Sequence, residues 1–232
     1  MPSPFELLIW FVCTLLELSV VGCALWRGVF RRYLALNVYM LACAAVSIGR
    51  FQILSSHGFT SAEYVYFYYY SDLLLTIGLY CALMSLYAHV FEEMGAERLV
   101  RFGALLLLLG TSAFSFLIVE QASNKIVSRF VVELSQNLYF VGLVLTYVLW
   151  AAILKLRETR TRLIQIVLSL GVYLSLFAAD YALRNLYPSQ RSLFISLLQV
   201  IGLFLPLTWA YAFWRLPEEA RMAPARLAVA PR

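Results

Sequence analysis

The sequence predicts an all-α protein, an integral membrane bundle of seven transmembrane helices. Of the 232 residues, 62% are hydrophobic and only 13% are charged, and the mean hydropathy is +0.80. Such a composition is typical of membrane proteins rather than of soluble domains. The apolar residues also fall into seven runs, each close to the roughly 20 residues with which a helix crosses a hydrocarbon core of about 30 Å.

Short polar segments separate the seven predicted spans, and none of them is long enough to be a linker between two domains. We therefore predict one transmembrane domain over residues 1–215 and a short cytoplasmic tail over 216–232. No internal repeat is visible in the sequence. The predicted spans are 5–26, 33–54, 64–90, 99–119, 128–154, 163–184 and 192–214.

The basic residues predict how the bundle is oriented. Lys and Arg in short loops are retained on the cytoplasmic side, and 13 of the 18 lie on one side of the predicted bundle, against four on the other and Arg50 within a span. We expect the N-terminus outside and the C-terminus in the cytoplasm, in the plasma membrane, which is the inner membrane of a bacterium. Because topology explains the net charge of +5, the expected partner is the lipid bilayer and not a nucleic acid.

The first span carries Glu17 near its middle, in FVCTLLELSVVG. No basic residue lies at a comparable depth on another predicted span, and desolvation strongly disfavours the charged form of an isolated carboxyl group there. We expect a neutral Glu17 that donates a hydrogen bond to another helix, for example to Ser47. The alternative is a proton-coupling site.

The third span begins with YVYFYYYSD, in which six aromatic rings precede Ser71 and Asp72. Tyr and Trp rings favour the headgroup level of a bilayer, so the run predicts an aromatic girdle at the external side. Trp26, Trp209 and Trp214 are expected to do the same at the inner boundary. Because aromatic positions go right round the third helix, some of its rings must face other helices.

Ionisable residues inside the spans are functional candidates, because inserting each one costs a few kcal/mol. Four helices place such a residue at similar depth near the external end, and i,i+4 spacing puts Asp180 with Arg184 and Glu133 with Asn137 on shared faces. We predict an external polar cluster, in which Asp72 pairs with Arg50 or Arg184. The cluster either pins helices together or binds an external small molecule or ion. Its members are Arg50, Asp72, Glu133, Asn137, Asp180, Arg184, Tyr68 and Tyr69.

The last span contains Pro206, in GLFLPLTWAY. Proline removes one backbone hydrogen bond from a helix and kinks it. Pro206 is therefore a candidate flexing point of the bundle, with simple packing of a kinked helix as the alternative.

The sequence offers no residues for the usual membrane cofactors. The only lysines are Lys125, in an external loop, and Lys155, at the inner end of the fifth span, so no lysine of the last span is available for a retinal Schiff base. His57 and His89 lie in a loop and near a span end, which rules out a haem or zinc ligand set of the usual kind. The four cysteines are expected to be packing residues. We predict no cofactor, no metal and no enzymatic activity.

In helix count, orientation and loop brevity the chain resembles the seven-span membrane sensor modules attached to some bacterial signalling kinases. The resemblance covers the spans alone and implies that a protein partner supplies the output. We expect a sensor or receptor-like module or an accessory subunit of a membrane assembly, contacted through cytoplasmic loops such as KLRETRTR. The alternative is a secondary transporter or channel, proton-coupled through Glu17 and Asp72. The sequence lacks the repeated halves and paired broken spans common in transporters.

Overall fold

The fold is a bundle of seven helices, as predicted. A computed structural model describes residues 4–58, 61–92, 97–120, 126–156, 158, 160–187 and 191–217, with the backbone alone at 4–6, 97–101, 118–120, 126–129, 181, 184, 185 and 191–196. Within these ranges there is no strand. The helices are α1 (Pro4–Trp26), α2 (Leu34–His57), α3 (Ala62–Val90), α4 (Glu97–Glu120), α5 (Ile126–Leu156), α6 (Thr161–Leu186) and α7 (Arg191–Arg215).

The helix ends lie within three residues of the predicted spans, and local signals explain several of them. Gly28, at φ +68°, follows α1 in a left-handed conformation. The Gly28 amide donates to the Leu25 carbonyl and the Val29 amide to the Ala24 carbonyl, both at 3.0 Å, which is the Schellman arrangement that ends helices. Ser61 caps α3, because its hydroxyl accepts from the amide of Tyr64 at 3.1 Å. Most of the predicted tail, 218–232, lies outside the described residues.

Six of the helices are long and apolar enough to cross a membrane. The seventh, α4, is 24 residues long, but its described apolar stretch is the shorter Phe102–Leu117. Its large apolar side chains, among them Phe102, Leu105 and Leu109, are nevertheless exposed, as expected of a surface that faces lipid rather than water. The chain is a multi-pass membrane protein.

Contacts in the middle and at the inner ends of α1 and α7 show that an odd number of helices cross the bundle. Cys13 of α1 lies beside Gly202 of α7, and the Arg27 guanidinium, just beyond α1, donates to the carbonyl of Trp214. The two helices therefore run parallel, which requires an odd number of crossings. Since the other six helices are long enough to cross, α4 must cross the bundle too. We call the end that holds Trp26, Val90 and Arg215 the inner end and the opposite end the outer end, after the predicted orientation, which stays a prediction.

The inner half of the bundle is tightly packed. Its large, fully buried side chains come from several helices and from the connection before α2, and they include Tyr33, Leu36, Leu83, Leu86, Leu149, Ile166, Leu170, Trp209 and Phe213. The prediction for Trp209 was wrong, since this ring is 0% exposed. Its indole nitrogen donates to Ser169 at 3.1 Å, because a buried indole N–H needs a partner. Trp26 and Trp214 are exposed at the inner end, as expected of boundary residues.

Candidate functional site

Arg50, on α2 near the outer end, is held against α3. Its Nε and Nη2 donate to the hydroxyl of Ser71 at 3.0 and 2.8 Å, and Nη2 also donates to the carbonyl of Tyr68 at 3.2 Å. The guanidinium lies 4.3 Å from the centre of the Tyr68 ring, a cation–π distance. Arg50 thus joins α2 to α3 through Ser71 and Tyr68 rather than through an ion pair with Asp72.

The aromatic run at the start of α3 divides among three environments, as a run that goes right round a helix must. Tyr66 and Tyr70 stack on each other at 6.5 Å on the exposed face. Phe67 packs on α2 over Gly49, where a Cβ atom would lie 2.8 Å from the ring. Tyr68 and Tyr69 line a cavity. The aromatic run thus contributes both to the exposed surface of the bundle and to the wall of an internal cavity.

Two residues of the predicted cluster face away from that space. Asn137 of α5 donates from Nδ2 to the hydroxyl of Ser115 on α4 at 2.9 Å, and Glu133, one turn earlier, does not line either of the cavities described below. The Arg184 side chain lies outside the described part of the chain. Spacing places Glu133 and Asn137 on one face of α5, but it did not show that Asn137 meets α4.

The outer cavity has a volume of about 250 Å³ and lies between α3, α5, α6 and α7. Asp72 of α3 and Asp180 of α6 contribute carboxyl groups to its lining, and Asp180 is 2% exposed. The described side chains that give the cavity its polar and aromatic character are Tyr68, Tyr69, Asp72, Ser135, Gln136, Tyr139, Phe177 and Asp180.

A second, inner cavity of about 230 Å³ adjoins the first in the middle of the bundle. Both cavities are lined by Asp72, Tyr139 and Phe177, and the Tyr139 and Phe177 rings stack at 4.6 Å. Glu17 and Arg50 also line the inner cavity. The depth of the residues along their spans did not indicate that Arg50 shares a cavity with Glu17, because the long Arg50 side chain reaches this cavity from nearer the outer end.

Each cavity has a buried polar atom for which the described residues offer no hydrogen-bond partner. In the outer cavity this atom is the hydroxyl oxygen of Ser135, a residue that is 4% exposed. In the inner cavity it is Oε2 of Glu17, which is 8% exposed, while Oε1 lies 3.7 Å from the thiol of Cys13. Buried polar groups are nearly always hydrogen-bonded, so both cavities contain groups that can bind a guest.

Pro206 of α7 lines the inner cavity beside Gly202. Because proline has no amide hydrogen, the carbonyl four residues earlier, that of Gly202, loses its helical partner. The thiol of Cys13 lies 3.9 Å from this carbonyl oxygen. The predicted flexing point and the carboxyl group of Glu17 are therefore joined through one cysteine of α1.

The α5–α6 connection at the inner end is bonded to the bundle itself. The Arg160 guanidinium donates to Glu158 at 2.8 Å and to the carbonyl of His89 at 2.7 Å, and these hydrogen bonds to Glu158 raise the pKa of Arg160. Arg162 donates to the carbonyl of Leu216 at 2.6 Å. Arg160 and Arg162 of KLRETRTR are buried, and Arg157 lies outside the described residues. The exposed basic residues left for a partner at this end include Arg31, Lys155 and Arg215.

The predicted site did not include Ser135, Gln136 and Tyr139 of α5, nor the cavity-lining aromatic residues Tyr173 and Phe177 of α6. The polar segment SQN within an apolar span was a signal for the first two, since polar groups inside a span face other helices. Tyr139 and Tyr173 had no such signal, because tyrosine is equally expected at a membrane interface. In the described residues no group of three His, Cys, Asp or Glu side chains is placed to hold a metal ion.

Similarity to known proteins does not assign this site. No protein-family model matches the chain, and no curated protein or solved structure matches it significantly.

Proposed function

We propose that the protein is a non-enzymatic, receptor-like membrane module that binds a small molecule in the outer and inner cavities and signals its presence to a protein partner. The observation that carries this proposal is the pair of buried polar atoms, on Ser135 and Glu17, that have no hydrogen-bond partner among the described residues. Leaving such groups unsatisfied costs free energy. A ligand with matching polar groups recovers that cost.

The packing below the cavities supports binding rather than conduction. The inner cavity is bounded toward the inner end by Leu205, and beyond it lie the fully buried rings of Trp209 and Phe213. The two cavities in the outer half, with a filled core beneath them, form a binding pocket with one closed end. Neither cavity alone reaches the roughly 300 Å³ of typical small-molecule sites, but the two adjoining cavities together do.

Helix α7 offers a route from the cavities to the inner end. Pro206 lines the inner cavity, Trp209 and Phe213 then pack in the core, and the carbonyl of Leu216 accepts from Arg162. A ligand that favours one arrangement of α7 at Pro206 shifts the population of that arrangement. The change then reaches the α5–α6 connection. Exposed basic residues there, such as Lys155, are available to a partner in the cytoplasm. The proposed location is the plasma membrane.

Native mass spectrometry of the full chain, extracted in the mildest detergent that keeps it folded, tests the proposal. Wild-type protein is expected to carry an additional mass of a few hundred daltons or less. Ser135→Leu fills the outer cavity and removes a hydroxyl that makes no hydrogen bond within the described residues, so it should lose that mass. Gly110→Leu is the matched control, since a side chain there meets open space on α4. Bare wild-type protein, or equal behaviour of both variants, contradicts the proposal.

Transport is a second candidate, favoured by the finding that Glu17 and Asp72 line the same inner cavity. In this case the inner half opens in an alternate state and the two carboxyl groups carry protons. Uptake into proteoliposomes driven by a pH gradient, and lost in Glu17→Gln, would favour transport over sensing. No uptake by protein that binds its ligand would favour the receptor.

A further inference from the structure

Carboxyl groups outnumber basic groups in the lining of the inner cavity. Among its described lining residues, Glu17 and Asp72 carry carboxyl groups and Arg50 alone carries a cationic group. Asp72 is half-buried and forms no ion pair with the side chains that the structure describes. Its carboxyl group therefore lacks, among the described residues, the direct ion pair that acidic residues within a membrane usually form.

Arg50 is already engaged by the protein. Its Nε and Nη2 donate to Ser71, and its guanidinium lies over the ring of Tyr68. An anionic ligand would have to compete for these contacts and would also lie close to two carboxyl groups. The engagement of Arg50 by Ser71 and Tyr68, next to Asp72, thus opposes the binding of an anion.

Aromatic residues line the same two cavities as Asp72. Tyr139 and Phe177 line both cavities as Asp72 does, and Tyr68 lines both as well. The faces of aromatic rings attract cations, and cages of such rings recognise quaternary ammonium groups. Together with a carboxyl group, they form a site suited to a positively charged organic molecule.

We infer that the ligand of these cavities is an organic cation, an amine or quaternary ammonium compound, whose charged group pairs with Asp72 and whose apolar part lies against Tyr139 and Phe177. This inference rests on the proposed binding function and names its ligand class. Glu17, with Oε2 unpartnered among the described residues, provides a second acceptor deeper in the bundle for a ligand that carries another donor.

Benzyltrimethylammonium is a suitable probe, because its charge is permanent and its ring is small. Equilibrium dialysis of the labelled probe against the purified full chain should show saturable binding. Its uncharged isostere neopentylbenzene and the anion benzenesulfonate should compete poorly. Asp72→Asn should weaken binding by about 30-fold, as expected when one partner of a desolvated charge pair is removed. Glu133→Gln, which removes a carboxyl group outside both cavities, should leave binding unchanged.

The outcomes separate the ligand class from the proposed function. If neopentylbenzene competes as well as the unlabelled cation, or if Asp72→Asn and Glu133→Gln have equal effects, the cation inference is wrong. If the cation does not bind while native mass spectrometry shows a mass that Ser135→Leu removes, the ligand class fails and the receptor stands. If neither is seen, both fail. The competition series on wild-type protein decides the question even if Asp72→Asn does not fold.

Discussion

The thiol of Cys13 lies 3.9 Å from the carbonyl oxygen of Gly202. This carbonyl is the one that Pro206 leaves without a helical amide partner, and within a membrane such a group has to be satisfied by neighbouring helices or by local adjustment. The Cys13 thiol therefore partly satisfies the carbonyl group that the proline leaves without a partner. The contact is weak, because a thiol is a poor hydrogen-bond donor.

Replacing Pro206 by Ala should stabilise the bundle. The new amide donates to Gly202, and one hydrogen bond contributes about 0.5 to 1.5 kcal/mol. The midpoint of thermal unfolding in detergent, followed by circular dichroism, is expected to rise. Leu207→Ala, at the exposed neighbouring position of α7, serves as the control and should change little. A lower midpoint for Pro206→Ala would show that the kinked helix is required for packing.

Asn137 is expected to contribute to stability but not to ligand binding. Its amide bonds Ser115 across the α4–α5 interface, and such bonds within membranes average about 0.6 kcal/mol in double-mutant cycles. Asn137→Ala and Ser115→Ala should each destabilise the protein, and the double variant should cost less than the two single costs combined. Binding of a ligand by Asn137→Ala should equal that of wild type. Strictly additive costs would mean that the bond contributes nothing.

Gly171→Ala should be strongly destabilising. A Cβ atom at Gly171 would overlap the indole of Trp150 and lie 3.0 Å from a methyl carbon of Thr146, and the indole is fixed by its bond to the carbonyl of Val167. Overpacking of this kind costs about 1 to 3 kcal/mol. Gly22→Ala, where nothing lies within 4 Å, should be neutral or stabilising by up to about 1 kcal/mol. Thermal unfolding of the two variants side by side tests this difference.

Arg160→Gln should weaken the inner end, because it leaves the buried Glu158 without its cation. Removing one member of a buried ion pair costs about 3 to 5 kcal/mol. Lys155→Gln removes the same charge from an exposed position of the same segment and should stay within about 0.5 kcal/mol of wild type. Unfolding midpoints are the measurement. Similar midpoints for both variants would show that the Arg160 contacts contribute little.

The helices were predictable because bilayer thickness sets the length that an apolar run must have. Short loops then make consecutive helices run in opposite directions. The partners of individual side chains were not predictable to the same degree. The sequence places Arg50 and Asp72 at similar depth, but the rotation of α3 turns Ser71 toward Arg50 and leaves Asp72 for the cavities. Rotation depends on packing of the whole bundle, which no local pattern specifies.

The cluster illustrates the same limit. Tyr68, Tyr69, Asp72 and Asp180 do line the outer cavity, whereas Asn137 faces α4. Helical periodicity shows which residues share a face, and it cannot show whether that face meets a hollow or a neighbouring helix. The predicted location of Trp209 was wrong for a related reason, since an indole suits both a membrane boundary and a buried site with a hydrogen-bond acceptor.

The core of the inner half is filled, whereas the outer half contains the two cavities. This difference affects how easily each half opens locally. Local opening requires least free energy where few buried apolar contacts are lost, so backbone amides around Tyr69 and Asp180 should exchange with solvent sooner than those around Leu86 and Leu170. A bound ligand would fill the cavities and supply buried contacts that the outer half lacks without it. Its binding would slow exchange along whole helices, including amides that it never touches.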